Sequence, residues 1–138
     1  MPTEWSQVNA KLRVAVADDH PAMLGWLVTT LRTEFEVVAS VNSGVAALDV
    51  VARLDPDVIV LDLAMSPMNG LEVTKSLRRS GARAGVVLVT AYDDPELAKV
   101  GFAAGAQGFV NKAKVIEELA PAVRKAAVAK RHSAAGDP

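Results

Sequence analysis

Five polar residues stand directly or closely behind apolar, Val-rich runs: Asp18 and Asp19 behind LRVAVA, Asp62 behind VIVL, Thr90 behind VVLV, and Lys112 behind QGFV. Three carboxylates brought to one place repel one another, which raises their pKa values or calls for a hard cation. Mg2+ suits that set, because it takes oxygen ligands, keeps several waters and needs few protein carboxylates when a phosphate completes its shell. Lys112 would add a point charge and the Thr90 hydroxyl a donor. Together these groups describe phosphoryl transfer with Asp62 as the nucleophile. Asp62 makes the strongest demand, since a carboxylate ending an apolar strand is partly desolvated and needs a cation to offset that. Taken singly, Asp18 and Asp19 fit helix N-capping, Thr90 fits loop hydrogen bonding, and Lys112 fits a solvated loop cation. The chemistry therefore depends on convergence.

The surrounding elements supply it. Val-rich runs at 12–17, 36–41, 58–61, 86–89 and 107–110 alternate with stretches of helical spacing at 21–33, 43–54, 71–79, 95–104 and 116–130. Pro21 after Asp19 and His20, Ser43 before Gly44, and Pro95 after Asp94 are helix-start signals. Five strand–helix pairs with near-continuous apolar strands predict a doubly wound α/β domain, its parallel sheet covered by helices on both faces. In such a sheet the carboxyl ends of the strands share one edge, where ligands bind. Pro121 predicts a kink in the last helix or a later start. Gly101 is expected only to weaken its helix, while Gly105 makes a C-terminal cap. Asp55-Pro56-Asp57, at the opposite end of the third strand, reads as turn chemistry. Residues 1–10 read as an N-terminal tail, 11–130 as one domain, and 131–138 as a tail or the start of a linker.

Composition excludes several function classes. The chain has 138 residues, 51% hydrophobic and 22% charged, enough for one domain with a core. A net charge of −1 gives no pull toward nucleic acid or anionic lipid. Arg124, Lys125, Lys130 and Arg131 read as a solvated helix face, with no DNA contact. There is no Cys, and the two His, His20 and His132, lie far apart, which argues against a zinc centre. No secretory signal pattern opens the chain and no apolar run reaches bilayer length, so a soluble cytoplasmic protein without membrane contact is expected.

The segments VAVADDHPAM, VIVLDLAMSPMNGLEV, VLVTAY and AAGAQGFVNK resemble, in order, the motifs of the receiver domain of two-component response regulators. Asp-Asp-His-Pro, Met-Asn-Gly-Leu-Glu and Gly-Ala-Gln-Gly-Phe resemble the LuxR-like (NarL/FixJ) subfamily. The resemblance covers about residues 11–130. It implies a flavodoxin-like fold with strand order 2-1-3-4-5 and five helices. It also implies Asp62 as phosphoacceptor and Asp19, Asp62 and the Ala64 carbonyl as Mg2+ ligands, with Asp18 acting mainly through water. Thr90 and Lys112 would take the phosphoryl oxygens. Phe109 would rotate inward with Thr90 on activation, and Ala91 would leave room for the incoming group. Ala64 and Tyr92 would tune hydrolysis of the acyl phosphate. A histidine kinase would be the donor, and the domain a switch rather than an enzyme with a separate substrate. Phosphorylation would favour a homodimer and control transcription through a DNA-binding domain outside this chain.

Three departures from the family pattern stand out. Ser66 occupies the usual proline position and Pro67 follows it, Ala113 follows Lys112 where many relatives have Pro, and Phe109 replaces Tyr. The alternative is a stand-alone or degenerate receiver acting as a protein-interaction module. A haloacid-dehalogenase-type phosphohydrolase would want a second acid where Ala64 stands. A flavin binder would want a phosphate-cradling loop where Asp18 and Asp19 stand.

Overall fold

The computed structural model describes residues 11–136, with side chains through Lys130. Five parallel strands, β1 (Arg13–Ala17), β2 (Glu36–Val41), β3 (Val58–Asp62), β4 (Gly85–Thr90) and β5 (Gly108–Asn111), form one sheet in the order β2-β1-β3-β4-β5. Five helices alternate with them: α1 (Pro21–Arg32), α2 (Gly44–Leu54), α3 (Gly70–Arg79), α4 (Pro95–Ala104) and α5 (Val115–Gly136). This is the doubly wound architecture that the sequence predicts. Strand order reverses between β1 and β3, so the crevice expected of such sheets opens at their carboxyl ends.

Alternation along the strands builds two cores. Val14 and Val16 of β1, Val58 and Val60 of β3, and Val87 and Val89 of β4 face α1 and α5 with Leu27, Leu31, Leu119 and Val123. Ala15, Ala17, Ile59, Leu61, Val86 and Leu88 face the opposite layer with Val50, Val73 and Leu77. The three inner strands are buried on both faces, which is why they carry continuous apolar runs. Each fully buried Val or Leu contributes about 1.5–3 kcal/mol from loss of apolar surface.

Several local features depart from expectation. The helix α5 runs through Pro121 with no later start. Pro121 is exposed, so water can reach the Glu117 carbonyl that its missing N–H leaves free, while buried Val115 and Leu119 before it and Val123 and Ala126 after it hold both turns. The helix also continues past 130 to Gly136, whereas residues 1–10 and 137–138 lie outside the described residues. Gly101 does more than weaken α4. A Cβ there would stand 2.9 Å from Leu88 Cδ1 and 3.3 Å from Phe109 Cδ2, so its absence lets α4 approach the sheet. Gly105 caps α4 at φ 115°, as expected.

The basic residues of α5 are not all a solvated face. Arg124 Nη1 lies 2.6 Å from Glu34 Oε1, and Lys130 Nζ donates to the carbonyls of Asp55 at 2.8 Å and Pro56 at 3.1 Å. Asp55 itself ends α2 with φ 45°, and the Asp57 carboxylate accepts the Arg13 N–H at 2.8 Å. The Asp55-Pro56-Asp57 turn is thus also the anchor of α5.

Pro121→Ala should restore a helical hydrogen bond without removing a buried group, raising stability by about 1–3 kcal/mol, at most the propensity difference between Pro and Ala in a helix interior. Urea denaturation measures it, and a loss of stability would mean that the ring makes a packing contact that the exposed placement denies.

Candidate functional site

Parallel pairing carries the five polar residues to one edge. Asp62 is the last residue of β3, and β3 lies between β1 and β4. Asp18 follows β1 directly and is fixed by its N–H on the Val41 carbonyl at 3.1 Å. Thr90 ends β4, and Lys112 follows β5 at the start of a 3-10 turn (Lys112–Lys114) whose Ala113 N–H donates to the Asn111 side chain at 2.8 Å. The loop from Asp62 to α3 is held at both ends. Leu63 donates to the Val89 carbonyl at 2.9 Å, and an Asn69–Glu72 capping box starts α3. Gly70 is required beside it, because a Cβ would fall 2.7 Å from the Asp62 carbonyl. Within the loop the Ser66–Pro67 peptide is cis.

Lys112 is the hub of the cluster. Its Nζ lies 3.2 Å from Asp62 Oδ1 and 3.5 Å from Asp18 Oδ2. Asp62 Oδ1 also accepts the Ala64 N–H at 3.2 Å. Asp18 and Asp62 are fully buried, and Asp19 is partly so. Burial pushes the Asp62 carboxyl above its ordinary 3.8; the Ala64 N–H opposes this, the Asp18 charge adds to it, and Lys112 pulls it down.

One oxygen on each of the three carboxylates, Asp18 Oδ2, Asp19 Oδ1 and Asp62 Oδ2, is buried without a hydrogen-bond partner. The Lys112–Asp18 contact is an ion pair that lacks hydrogen-bond geometry. Buried carboxylate oxygens left in this condition are costly unless a cation satisfies them. The donor atoms of Asp18, Asp19, His20 and Asp62 all lie within 4.8 Å of one another. The residues therefore fit a divalent ion with oxygen ligands. His20 is the member that sequence reasoning missed as a possible ligand; the only signal was its position directly after the paired aspartates. His132 lies outside the residues whose side chains are described.

Thr90 is buried, and its Oγ1 accepts the Tyr92 N–H at 3.1 Å, leaving the hydroxyl proton free to donate elsewhere. Ala64, Ala91 and Tyr92 are exposed on the loops flanking the cluster. Phe109 is set back from the edge, paired in register with Leu88 rather than with Thr90. Its half-buried ring packs on the α2/α3 side of the core and meets Phe102 at 6.5 Å between centroids. A cavity of about 230 Å³, lined by Tyr92, Asp94, Ala98 and Phe109 among others, opens beside it. At its far end α4 is tied to α3, because Arg78 donates to the Gly105 carbonyl at 3.0 Å and to Gln107 Oε1 at 3.0 Å. A larger cleft of about 560 Å³, between α2 and α3 around Leu48, Val51 and Leu77, contains none of the acidic cluster.

A doubly wound sheet with an acidic, lysine-bridged pocket at its switch point defines an α/β domain whose carboxyl edge fits a divalent cation. The chain belongs to the response regulator receiver domain family, whose sequence pattern matches residues 14–124. It is 38% identical over 117 residues to the nitrate/nitrite response regulator protein NarP of Escherichia coli, covering 83% of this chain and 54% of that protein. It is 34% identical to the probable transcriptional regulatory protein NarL of Mycobacterium tuberculosis strain H37Rv, covering 82% and 53% respectively. The solved receiver domain of the putative response regulator NarL from that organism superposes with a TM-score of 0.76 at 30% identity, covering 83% of this chain and 98% of that one. The chain thus spans about half the length of the curated relatives it matches.

Because its folded pKa is raised, Asp62 contributes stability that is full below the unfolded pKa and lost as pH rises through the folded one. In chelator at neutral pH, Asp62→Asn should therefore be more stable than wild type, by about 1–3 kcal/mol, the penalty of one buried unsatisfied polar group. The difference should shrink toward acid pH, and added Mg2+ should stabilise the wild type more. Thermal melts at several pH values check this; a less stable variant in chelator would show that the Lys112 pairing outweighs desolvation.

Proposed function

We propose that this receiver accepts a phosphoryl group on Asp62 from the phosphohistidine of a histidine kinase, and that the modification switches its surface. The observation that carries this reading is the state of the Asp62 carboxylate. Oδ1 is held by Lys112 and the Ala64 N–H, while Oδ2 is buried with no hydrogen-bond partner, which leaves it as the oxygen not already engaged by the protein. Oδ2 forms a bond to phosphorus as the phosphorus–nitrogen bond of the donor breaks, and the electron pair returns to the imidazole. Lys112 and the Thr90 hydroxyl take up charge on the transferred oxygens. Asp19, Asp62 and the Ala64 carbonyl would hold Mg2+, with Asp18 acting through water. When bound, the ion neutralises the carboxylates and the phosphoryl oxygens together.

Hydrolysis of the acyl phosphate by water resets the domain, and Ala64 and Tyr92 flank its path. The chain is thus a switch that assists its own modification rather than an enzyme turning over a separate substrate. New acceptor oxygens at Asp62 draw Thr90 and Lys112 toward them, and the Phe109 ring follows inward as the loop after β4 shifts. The face of α4, β5 and α5 then changes shape and would pair with a second receiver. Support for a transcriptional output through a DNA-binding domain comes from the relatives, which are about twice as long as the matched region and are named as regulators. We place the protein in the cytoplasm on the same ground, with residues from 131 leading into the linker. No described helix is long and apolar enough to cross a membrane.

Incubation with acetyl phosphate and Mg2+ should add one phosphoryl group to the wild type and none to Asp62→Asn, read by intact mass. Lys112→Ala should slow the gain by about 100-fold or more, the scale of losing one charge-stabilising donor. Phosphorylation of Asp62→Asn would move the acceptor to another residue.

A further inference from the structure

His20 adds an imidazole nitrogen to an oxygen site. Its Nδ1 lies 3.1 Å from Asp19 Oδ1, 3.4 Å from Asp18 Oδ1 and 3.9 Å from Asp62 Oδ2. Adjacent ligands of an octahedral ion with bonds of about 2.1 Å are separated by about 3.0 Å, and those of a tetrahedral one by about 3.4 Å. The 3.1 Å spacing to Asp19 Oδ1 matches the edge of an octahedral coordination shell. The backbone holds the ring there. The His20 N–H donates to Asp18 Oδ1 at 2.9 Å, and Pro21 confines His20 to its extended conformation of φ −100°, ψ 112°. The side chain makes no capping hydrogen bond to α1, although His20 occupies the N-cap position. It is 68% exposed, at the solvent side of the cluster, while the orphaned oxygens of Asp18 and Asp62 lie beneath it.

Mg2+ prefers oxygen donors and seldom takes imidazole, whereas later first-row ions such as Co2+ and Zn2+ accept it readily. We infer that His20 is a specificity-determining ligand that turns this cation site toward first-row transition ions. The inference rests on reading the acidic cluster as the divalent-cation site. A site with Nδ1 among its donors holds a transition ion more tightly and for longer than Mg2+, so the availability of such an ion sets which metal accompanies Asp62.

The test is titration of the whole chain with Co2+ and, separately, Mg2+ by calorimetry, for wild type, His20→Ala and His20→Gln, with proton NMR of the Co2+ form. Transition ions bind most sites better than Mg2+, so the discriminating quantity is the change in the ratio of the two affinities. Both substitutions should weaken Co2+ by at least about tenfold, the lower end of what losing even a group that orients a ligand does. Mg2+ affinity should stay where it was, and a hyperfine-shifted imidazole resonance seen in wild type should vanish. Equal loss for both ions, or no loss for Co2+, would overturn the role of His20 while leaving the cation site standing. If wild type binds neither ion, the reading of the cluster falls and the inference falls with it.

Discussion

A buried pair of like charges governs this molecule. Asp18 and Asp62 are both withdrawn from water at the ends of neighbouring strands, and Lys112 is the protein's own cation against both. One ammonium cannot satisfy two buried carboxylates, and the orphaned oxygens record the deficit. The pocket is therefore built to be incomplete. A divalent cation is the addition that would remove the imbalance, so the same electrostatic defect that costs stability creates the demand for one.

Each part of the fold serves that placement. The β1–β3 switch point puts Asp18 beside Asp62, and β4 and β5 bring Thr90 and Lys112 to the other side of Asp62. Short connections keep the geometry tight, with the Asn69–Glu72 capping box and the close approach at Gly70 setting the path away from Asp62. Rigidity there contrasts with the α4 side. Between Thr90 and α4 the chain is exposed, and a cavity borders the Phe109 ring, while the Arg78 bonds to Gly105 and Gln107 hold the far end of the helix. An element fixed at one end and loosely packed at the other is suited to pivot, and a half-buried guanidinium satisfied by carbonyls makes a firm anchor.

On the opposite edge of the sheet, α5 is secured by Lys130 over the Asp55-Pro56-Asp57 turn and by Arg124 on Glu34. These contacts fix the direction in which the chain leaves the domain. The helix is continuous through Pro121 and extends past this anchor to Gly136.

The alternation of apolar strands with helical spacing determined the fold class from sequence alone, because strands buried on both faces must be continuously apolar. The five polar residues at the ends of those runs were legible because parallel strands share one carboxyl edge, so groups that each have an ordinary explanation alone are carried together there. Other features required the third dimension. Gly101 looked like a flaw in a helix until Leu88 and Phe109 were seen against it, and Lys130 looked solvated until a turn distant in sequence supplied its carbonyls. His20 read as the residue before a helix-starting proline, and only the distances from Nδ1 to three carboxylates revealed it as a member of the cluster. Sequence pattern reports burial and periodicity, which are local and repeat along the chain. The partners of a given side chain depend on which distant segments the sheet order makes adjacent, and that order is decided by packing of the whole domain.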